Sequence, residues 1–239
     1  MFYIDPYYLI LVLPTLIFAM YAQYKVKSTY QRYSQVPCRM GYTGAQAADT
    51  ILRGAGIFDV GIEHVAGQLS DHYDPRKKML RLSDSVFDST SIAALGVAAH
   101  EVGHAIQHHE GYLPLKLRNA IIPVTQIASN LSMPLIFLGI LFGGVRGNTD
   151  FGYFLIQMGI LLFGAAVVFQ LITLPVEFNA SRRAIAILGS SNLLLEDEIP
   201  QARRVLSAAA MTYVAAAATA LASLLRLLLL FGRRNGNDR

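Results

Sequence analysis

The sequence predicts a mainly α-helical membrane protein, with about four transmembrane helices and one small α/β domain. Three observations predict it. Of the 239 residues, 54% are hydrophobic and the mean hydropathy is +0.41, too apolar for an ordinary soluble domain. Four separate runs are apolar over the roughly 20 residues that a bilayer crossing needs. Between the first and second runs lies one sizeable polar block in which helix and strand patterns alternate.

The first element, residues 1–24, reads as a transmembrane helix with its apolar run from about Tyr7 to Tyr24. Asp5 and the lack of Lys or Arg before the run argue for a retained helix over a cleaved signal segment. Residues 25–120 form the polar block. Thr43 and Gln46 fit a capping box opening a helix over about 44–53, with Gly54 and Gly56 as stop signals. Phe58 to Val65 reads as a short strand, and Asp71-His72-Tyr73-Asp74-Pro75 as turn chemistry. Met79 to Leu82 reads as a second strand, which predicts a hairpin. Ser89, Thr90 or Ser91 can cap the next helix, about 91–109, which ends near Gly111.

Residues 121–174 hold two more spans, about Ile121 to Val145 and Phe151 to Leu174. Pro175 is expected to end the third span or to begin a new helix in the segment 175–207. Residues 208–239 hold the fourth span, about Ala208 to Phe231, and a basic tail. Arg226 is the one charge in that span; it can snorkel to the interface, although a charge within a span is also a functional signal.

Basic residues set the expected orientation. Lys25, Lys27, Arg32, Lys116 and Arg118 flank the polar block, and Arg182, Arg183, Arg203 and Arg204 follow the third span. The loop between spans two and three holds only Arg146 and Asp150. This bias places 25–120 and 175–207 in the cytoplasm, although Arg233, Arg234 and Arg239 in the tail oppose it. The net charge of +4 is modest. The cations are dispersed beside apolar runs and not interleaved with aromatics, so nucleic acid is not an expected partner. The single cysteine, Cys38, rules out an intramolecular disulfide and any metal site built on paired thiolates.

The chemistry is expected on the helix of about 91–109. Its first half is apolar nearly all round, which marks a buried helix. It then reads His100-Glu101-Val102-Gly103-His104. Two histidines four apart lie on one helical face and can reach one metal ion, with a glutamate beside the first to act on water. A catalytic zinc site takes three protein ligands and leaves a position open. His108 lies on the same face, but a rise of ~1.5 Å per residue puts it ~12 Å from His100. It reads, with His109, as a wet helix end. Glu177 is the other candidate. On spacing alone it is either a ligand or a glutamate favoured by a helix N-terminus.

Beyond this motif, much of the chain resembles a known family. His-Glu-x-x-His, two spans, then Glu177-Phe178-Asn179-Ala180 is similar to the layout of HtpX-type proteases and CAAX prenyl endopeptidases. The pattern departs at Ser181, where those families carry a supporting aspartate. A closer resemblance covers almost the whole chain. The single N-terminal helix, Tyr73-Asp74-Pro75, Leu80-Arg81-Leu82-Ser83, the His-Glu-Val-Gly-His-Ala-Ile-Gln-His helix and Pro175-Val176-Glu177-Phe178-Asn179-Ala180-Ser181 resemble the YugP-like neutral zinc metallopeptidases of bacteria.

That resemblance implies a gluzincin-like domain, one catalytic Zn2+ held by His100, His104 and Glu177, and Glu101 as general base. It implies an integral protein of a bacterial plasma membrane, acting on peptide or protein substrates in or near the bilayer. Asn179, Ser181, Arg182, His72 and Tyr73 are candidates for supporting the site or contacting substrate. The strand Met79–Ser83 is the candidate edge for an extended peptide. Two other readings fit the motif: a non-catalytic zinc-binding adaptor, and a site-2-type intramembrane metalloprotease. The intact Glu101 argues against the first. The lack of an aspartate within the apolar cores of the later spans argues against the second.

Overall fold

A computed structural model describes residues 5–143 and 149–232. Arg146 and the arginines of the C-terminal tail lie outside the described residues. The helices are α1 (Leu13–Tyr33, entered through a π-helical turn at Tyr8–Val12), α2 (Gly44–Gly54), α3 (Ile92–His109), α4 (Leu113–Leu141), α5 (Asp150–Ser190) and α6 (Ile199–Phe231). The strands are β1 (Gly61–Val65), β2 (His72–Asp74) and β3 (Met79–Ser83). Four helices are long and apolar enough to cross a membrane: Tyr8–Tyr33, α4, α5 and α6. α3 is not among them. The chain divides into two compact units. One comprises residues 1–21, 117–174 and 213–239, and the other 22–116 and 175–212.

In the first unit, Ile136, Ile156, Ile160 and Leu227 form a small apolar cluster. Arg226 of α6 is partly exposed. Its guanidinium donates to Asp5 at 2.6 and 3.0 Å and lies 5.4 Å from the centre of the Tyr8 ring. A cation within an apolar helix is costly alone, and a nearby carboxylate offsets that cost.

The second unit carries the sheet and the buried core. α2 opens on the expected capping box: Thr43 accepts from the Gln46 amide, and Gln46 accepts from the Thr43 amide. Ser91 caps α3 by accepting from the Ala94 amide at 3.1 Å. Ile92, Leu95, Ala98 and Val102 of α3 are fully buried, packed in one cluster with Ile51, Leu80, Leu188 and Leu206. α3 is therefore the central helix of the unit, which its all-round apolar first half predicts.

The sheet differs from expectation in two ways. Its order is β1-β3-β2. β1 and β3 are parallel, from Gly61 opposite Met79 to Val65 opposite Ser83, and so form no hairpin. β2 comes from the stretch read as turn and pairs antiparallel with β3. Asp71 explains why a turn-like sequence can hold a strand. Its carboxylate accepts from the Ser83 amide at 2.7 Å and the Ser83 hydroxyl at 2.9 Å, pinning the entry of β2 to the end of β3. The same order makes Met79–Ser83 the central strand, so it cannot be the free edge.

The helices also run past their apolar cores. α5 continues unbroken through Pro175. Proline removes one backbone donor but does not always end a helix, and kinked helices containing it are common in membranes. Glu177 therefore lies mid-helix, and the explanation by a helix N-terminus falls away.

Before α6, Glu198 ties two loops together. It is 3% exposed and accepts from the backbone amides of Arg39 at 2.9 Å and Leu195 at 2.8 Å. Replacing it by alanine leaves both amides without that acceptor, at about 1–3 kcal/mol by the cost of unsatisfied buried groups. Glu198→Ala is expected to lower the thermal midpoint of the detergent-purified protein by several degrees, and an unchanged midpoint would refute this role.

Candidate metal centre

The centre forms where α3 meets the 175–190 part of α5. His100 and His104 are one turn apart on α3, so both rings project from one face. Their ring centres are 4.8 Å apart and nearly perpendicular. The contact with α5 is unusually close. A Cβ on Gly103 would stand 2.8 Å from the Ala180 carbonyl oxygen, so only glycine allows this approach. Three residues earlier on α5, Glu177 reaches both rings. One of its oxygens lies 3.2 Å from His100 Nε2 and 3.6 Å from His104 Nε2. The three ligand atoms lie within 4.8 Å of one another. Two imidazole nitrogens and a carboxylate oxygen at such a spacing could hold a metal ion, and this donor set suits zinc.

The electrostatics agree with a site prepared for a cation. Burial pushes the Glu177 carboxyl up, but hydrogen bonds and charge from His100 and His104 outweigh it and hold the group well below the usual carboxylate range. Burial likewise opposes a charge on His104, yet the neighbouring Glu177 and Glu101 carboxylates raise its affinity for a proton. In both cases the partners, rather than burial, win.

The far nitrogens of the two rings are held as well. Ser181 Oγ lies 3.1 Å from His100 Nδ1. This serine stands where the more distant families place an aspartate, and it still reaches the ligand. His104 Nδ1 lies 3.0 Å from Gln107 Oε1. The amide nitrogen of Gln107 donates to the Val176 carbonyl and to Asn179 Oδ1, both at 2.9 Å. Asn179 Oδ1 also accepts from Arg183 Nε at 2.8 Å, and Arg183 is clamped by Glu110 at 2.6 and 2.8 Å.

This chain has a direction. Arginine can only donate, so Asn179 must turn its oxygen toward it. Gln107 must then turn its nitrogen toward Asn179 and its oxygen toward His104. His104 consequently carries its proton on Nδ1 and offers the Nε2 lone pair to a metal.

Glu101 adjoins His100 but points elsewhere. One carboxylate oxygen accepts from the Tyr73 backbone amide at 3.1 Å. Protein packed around the carboxyl raises its pKa, chiefly by desolvation, partly offset by His104 and His100. The Tyr73 hydroxyl shares a 2.8 Å hydrogen bond with His108 Nδ1, and burial first, with Asp59 and Asp74, pushes the phenol up to about 12. Tyr73 thus stays a donor at neutral pH.

The predicted residues sort clearly. His100, Glu101, His104, Glu177 and Ser181 come together, and Tyr73 joins them through its backbone. Asn179 reaches the ligands only through Gln107. His72 is turned away, toward the Ser70 carbonyl at 2.8 Å and Arg81 at 3.4 Å. Arg182 is exposed, with no hydrogen bond to the three ligands among the described residues.

The wet helix end expected for His108 and His109 holds for His109, which is exposed, but not for His108. Gln107 is fully buried, and His108 is half-buried against Tyr73. Gln107 is the residue that the sequence reading missed. Its position seven after His100 and three after His104, on the ligand face, was the available signal. Replacing it by leucine keeps the volume and removes the acceptor for His104. Gln107→Leu is expected to weaken zinc binding by roughly 10–100-fold, the usual cost of losing such a partner, as read by chelator-competition titration. Unchanged affinity would show that the chain of bonds does not orient His104.

Comparison with known proteins agrees with this geometry. The family model described as "Putative neutral zinc metallopeptidase" matches residues 8–232. The protein of Bacillus subtilis (strain 168) named "Putative membrane protease YugP" is 48% identical over 231 residues, covering 97% of this chain and 98% of that relative. No solved structure matches. The family match spans nearly the whole chain and includes every residue of the centre, so this chain belongs to the neutral zinc metallopeptidase family.

Proposed function

We propose that this chain is a membrane-embedded, zinc-dependent endopeptidase that hydrolyses peptide bonds of membrane or membrane-proximal proteins. The convergence of His100, His104 and Glu177, with Glu101 beside them and not ligating, carries the reading. A purely structural metal site has no need of an unbound carboxylate held at its edge.

When bound, zinc supplies a Lewis acid for the scissile carbonyl and brings water ionisation toward neutral pH. Glu101 takes the proton from the attacking water and delivers it to the leaving amine. Its raised pKa fits that double duty, because a carboxyl that is too acidic would hold the proton too weakly to pass it on. The Tyr73 amide holds Glu101 in place, leaving its other oxygen for water. The ladder to β3 uses one side of β2, and the Tyr73 amide faces Glu101 from the other. An extended substrate strand would therefore have to use an outer strand of the sheet, since the Met79–Ser83 strand expected from sequence is central.

α3 is too polar at its end to rank with the crossing helices, which supports a centre outside the bilayer core rather than a site-2-type arrangement. The basic residues flanking the spans support the cytoplasmic side.

Two variants separate chemistry from metal binding. Glu101→Gln should retain one zinc per chain by elemental analysis and lose peptide hydrolysis by roughly 10²–10⁴-fold, the usual contribution of general acid–base catalysis. Glu177→Ala should lose the zinc itself. Wild-type cleavage rates in Glu101→Gln, with full zinc in both variants, would remove the mechanism and the ligand assignment together. Zinc binding in a wild-type protein that cleaves no membrane protein would favour the adaptor reading.

A further inference from the structure

α1 and α6 bring a set of cations onto one groove of the unit formed by residues 22–116 and 175–212. Lys25 and Arg32 come from α1, Arg203 and Arg204 from α6, and Ser28 and Ser207 add hydroxyls. The cavity measures about 690 Å3, and no carboxylate lines it. All four cations are exposed, and among the described residues none is in an ion pair. Elsewhere in the same unit the pattern is opposite. Arg39, Arg53, Arg81 and Arg183 each meet an Asp or Glu.

The groove is built around Tyr33, which is 5% exposed. Its hydroxyl accepts from Arg204 Nη1 at 2.9 Å, and the Arg32 guanidinium lies 5.6 Å from its ring centre. Two guanidinium groups are thus positioned by one buried phenol. Gathering like charges without a counter-charge raises the local potential and attracts an anion.

The place of the groove in the sequence says which anion. Lys25 directly follows the apolar run of α1, and Ser207 directly precedes that of α6. Both helices thus change from polar to apolar at this cavity. Ala208 and Met211 also line it and lead into the apolar run of α6. A soluble anion would use only the basic end. A lipid uses both, with its phosphate on the cations and an acyl chain along the apolar end. We infer that this groove binds the phosphate headgroup of an anionic phospholipid from the adjoining leaflet.

Native mass spectrometry of the full chain in detergent tests this, with phosphatidylglycerol, phosphatidylcholine and glycerol 3-phosphate as probes. Phosphatidylglycerol should be retained in clear preference to phosphatidylcholine. The variant Lys25→Gln/Arg32→Gln/Arg203→Gln should bind it roughly a hundredfold more weakly, at roughly fivefold per juxtamembrane charge. Lys27→Gln/Arg76→Gln/Lys77→Gln, with three charges removed outside the groove, should bind as wild type. Arg204 is left in place because it holds Tyr33. If the triple groove variant does not fold, as judged by size exclusion and thermal melting, the single Arg203→Gln decides, with an expected loss of roughly fivefold. Equal retention of both lipids, an equal loss in the control variant, or undiminished binding in the groove variants overturns the assignment. Displacement of the lipid by equimolar glycerol 3-phosphate also overturns it, in favour of a soluble phosphate.

Discussion

The centre depends on the close approach of α3 to α5 at Gly103 and Ala180. Helices normally pack with axes 8–10 Å apart, kept there by the side chains between them. At this crossing one side chain is absent, and a Cβ in its place would press on the Ala180 carbonyl oxygen. The missing methyl group is what lets a short glutamate on one helix touch two histidines on the other. Glu177 is three residues from Ala180, and His100 and His104 flank Gly103, so all three ligands lie within a turn of the contact. The directed chain from Arg183 to His104 crosses the same interface, and so does the Ser181 bond to His100. The positioning of all three candidate ligands therefore has one cause.

Much of this was legible in the sequence. The four apolar runs, both N-caps and the i, i+4 histidines each follow from local rules, which need only a few neighbouring residues. Glu177 was legible only through family resemblance, because it is 73 residues from His104 and no local rule links them. The misreadings have a common origin. β2 was taken for turn because Asp71, Asp74 and Pro75 are turn formers, and only tertiary pairing to β3 overrode them. Gln107 carries no local signal of its role because glutamine is usually exposed, whereas here it has a partner for its oxygen and two for its nitrogen. Pro175 was read as a boundary because propensity alone disfavours it, yet α5 accommodates it. At β2 and Gln107 a long-range contact outweighs a local preference.

The two units divide the work differently. In residues 22–116 and 175–212, burial and satisfied polar groups hold the ligands and the sheet. In the other unit, exposed apolar side chains such as Ile127, Phe137, Phe154 and Leu161 dominate the helix surfaces, as expected where lipid is the solvent. There the partly buried Arg226 is paired with Asp5. That pairing ties Asp5 and Tyr8, at the start of the described residues, to the last helix.

The partners behind the histidines are both uncharged, a hydroxyl and an amide. Families that place an aspartate there add a further negative charge near the metal. Here the three candidate ligands would contribute only the single charge of Glu177. With a divalent ion bound and Glu101 ionised, the formal charge of the centre sums to zero. In the proposed mechanism Glu101 would take its proton from the attacking water, so the ion and the protein groups would together carry one positive charge beside the hydroxide left behind. Ser181, which breaks the more distant family pattern, is in this respect a choice of electrostatic balance: orientation of the ligand is kept, and the counter-charge is left out.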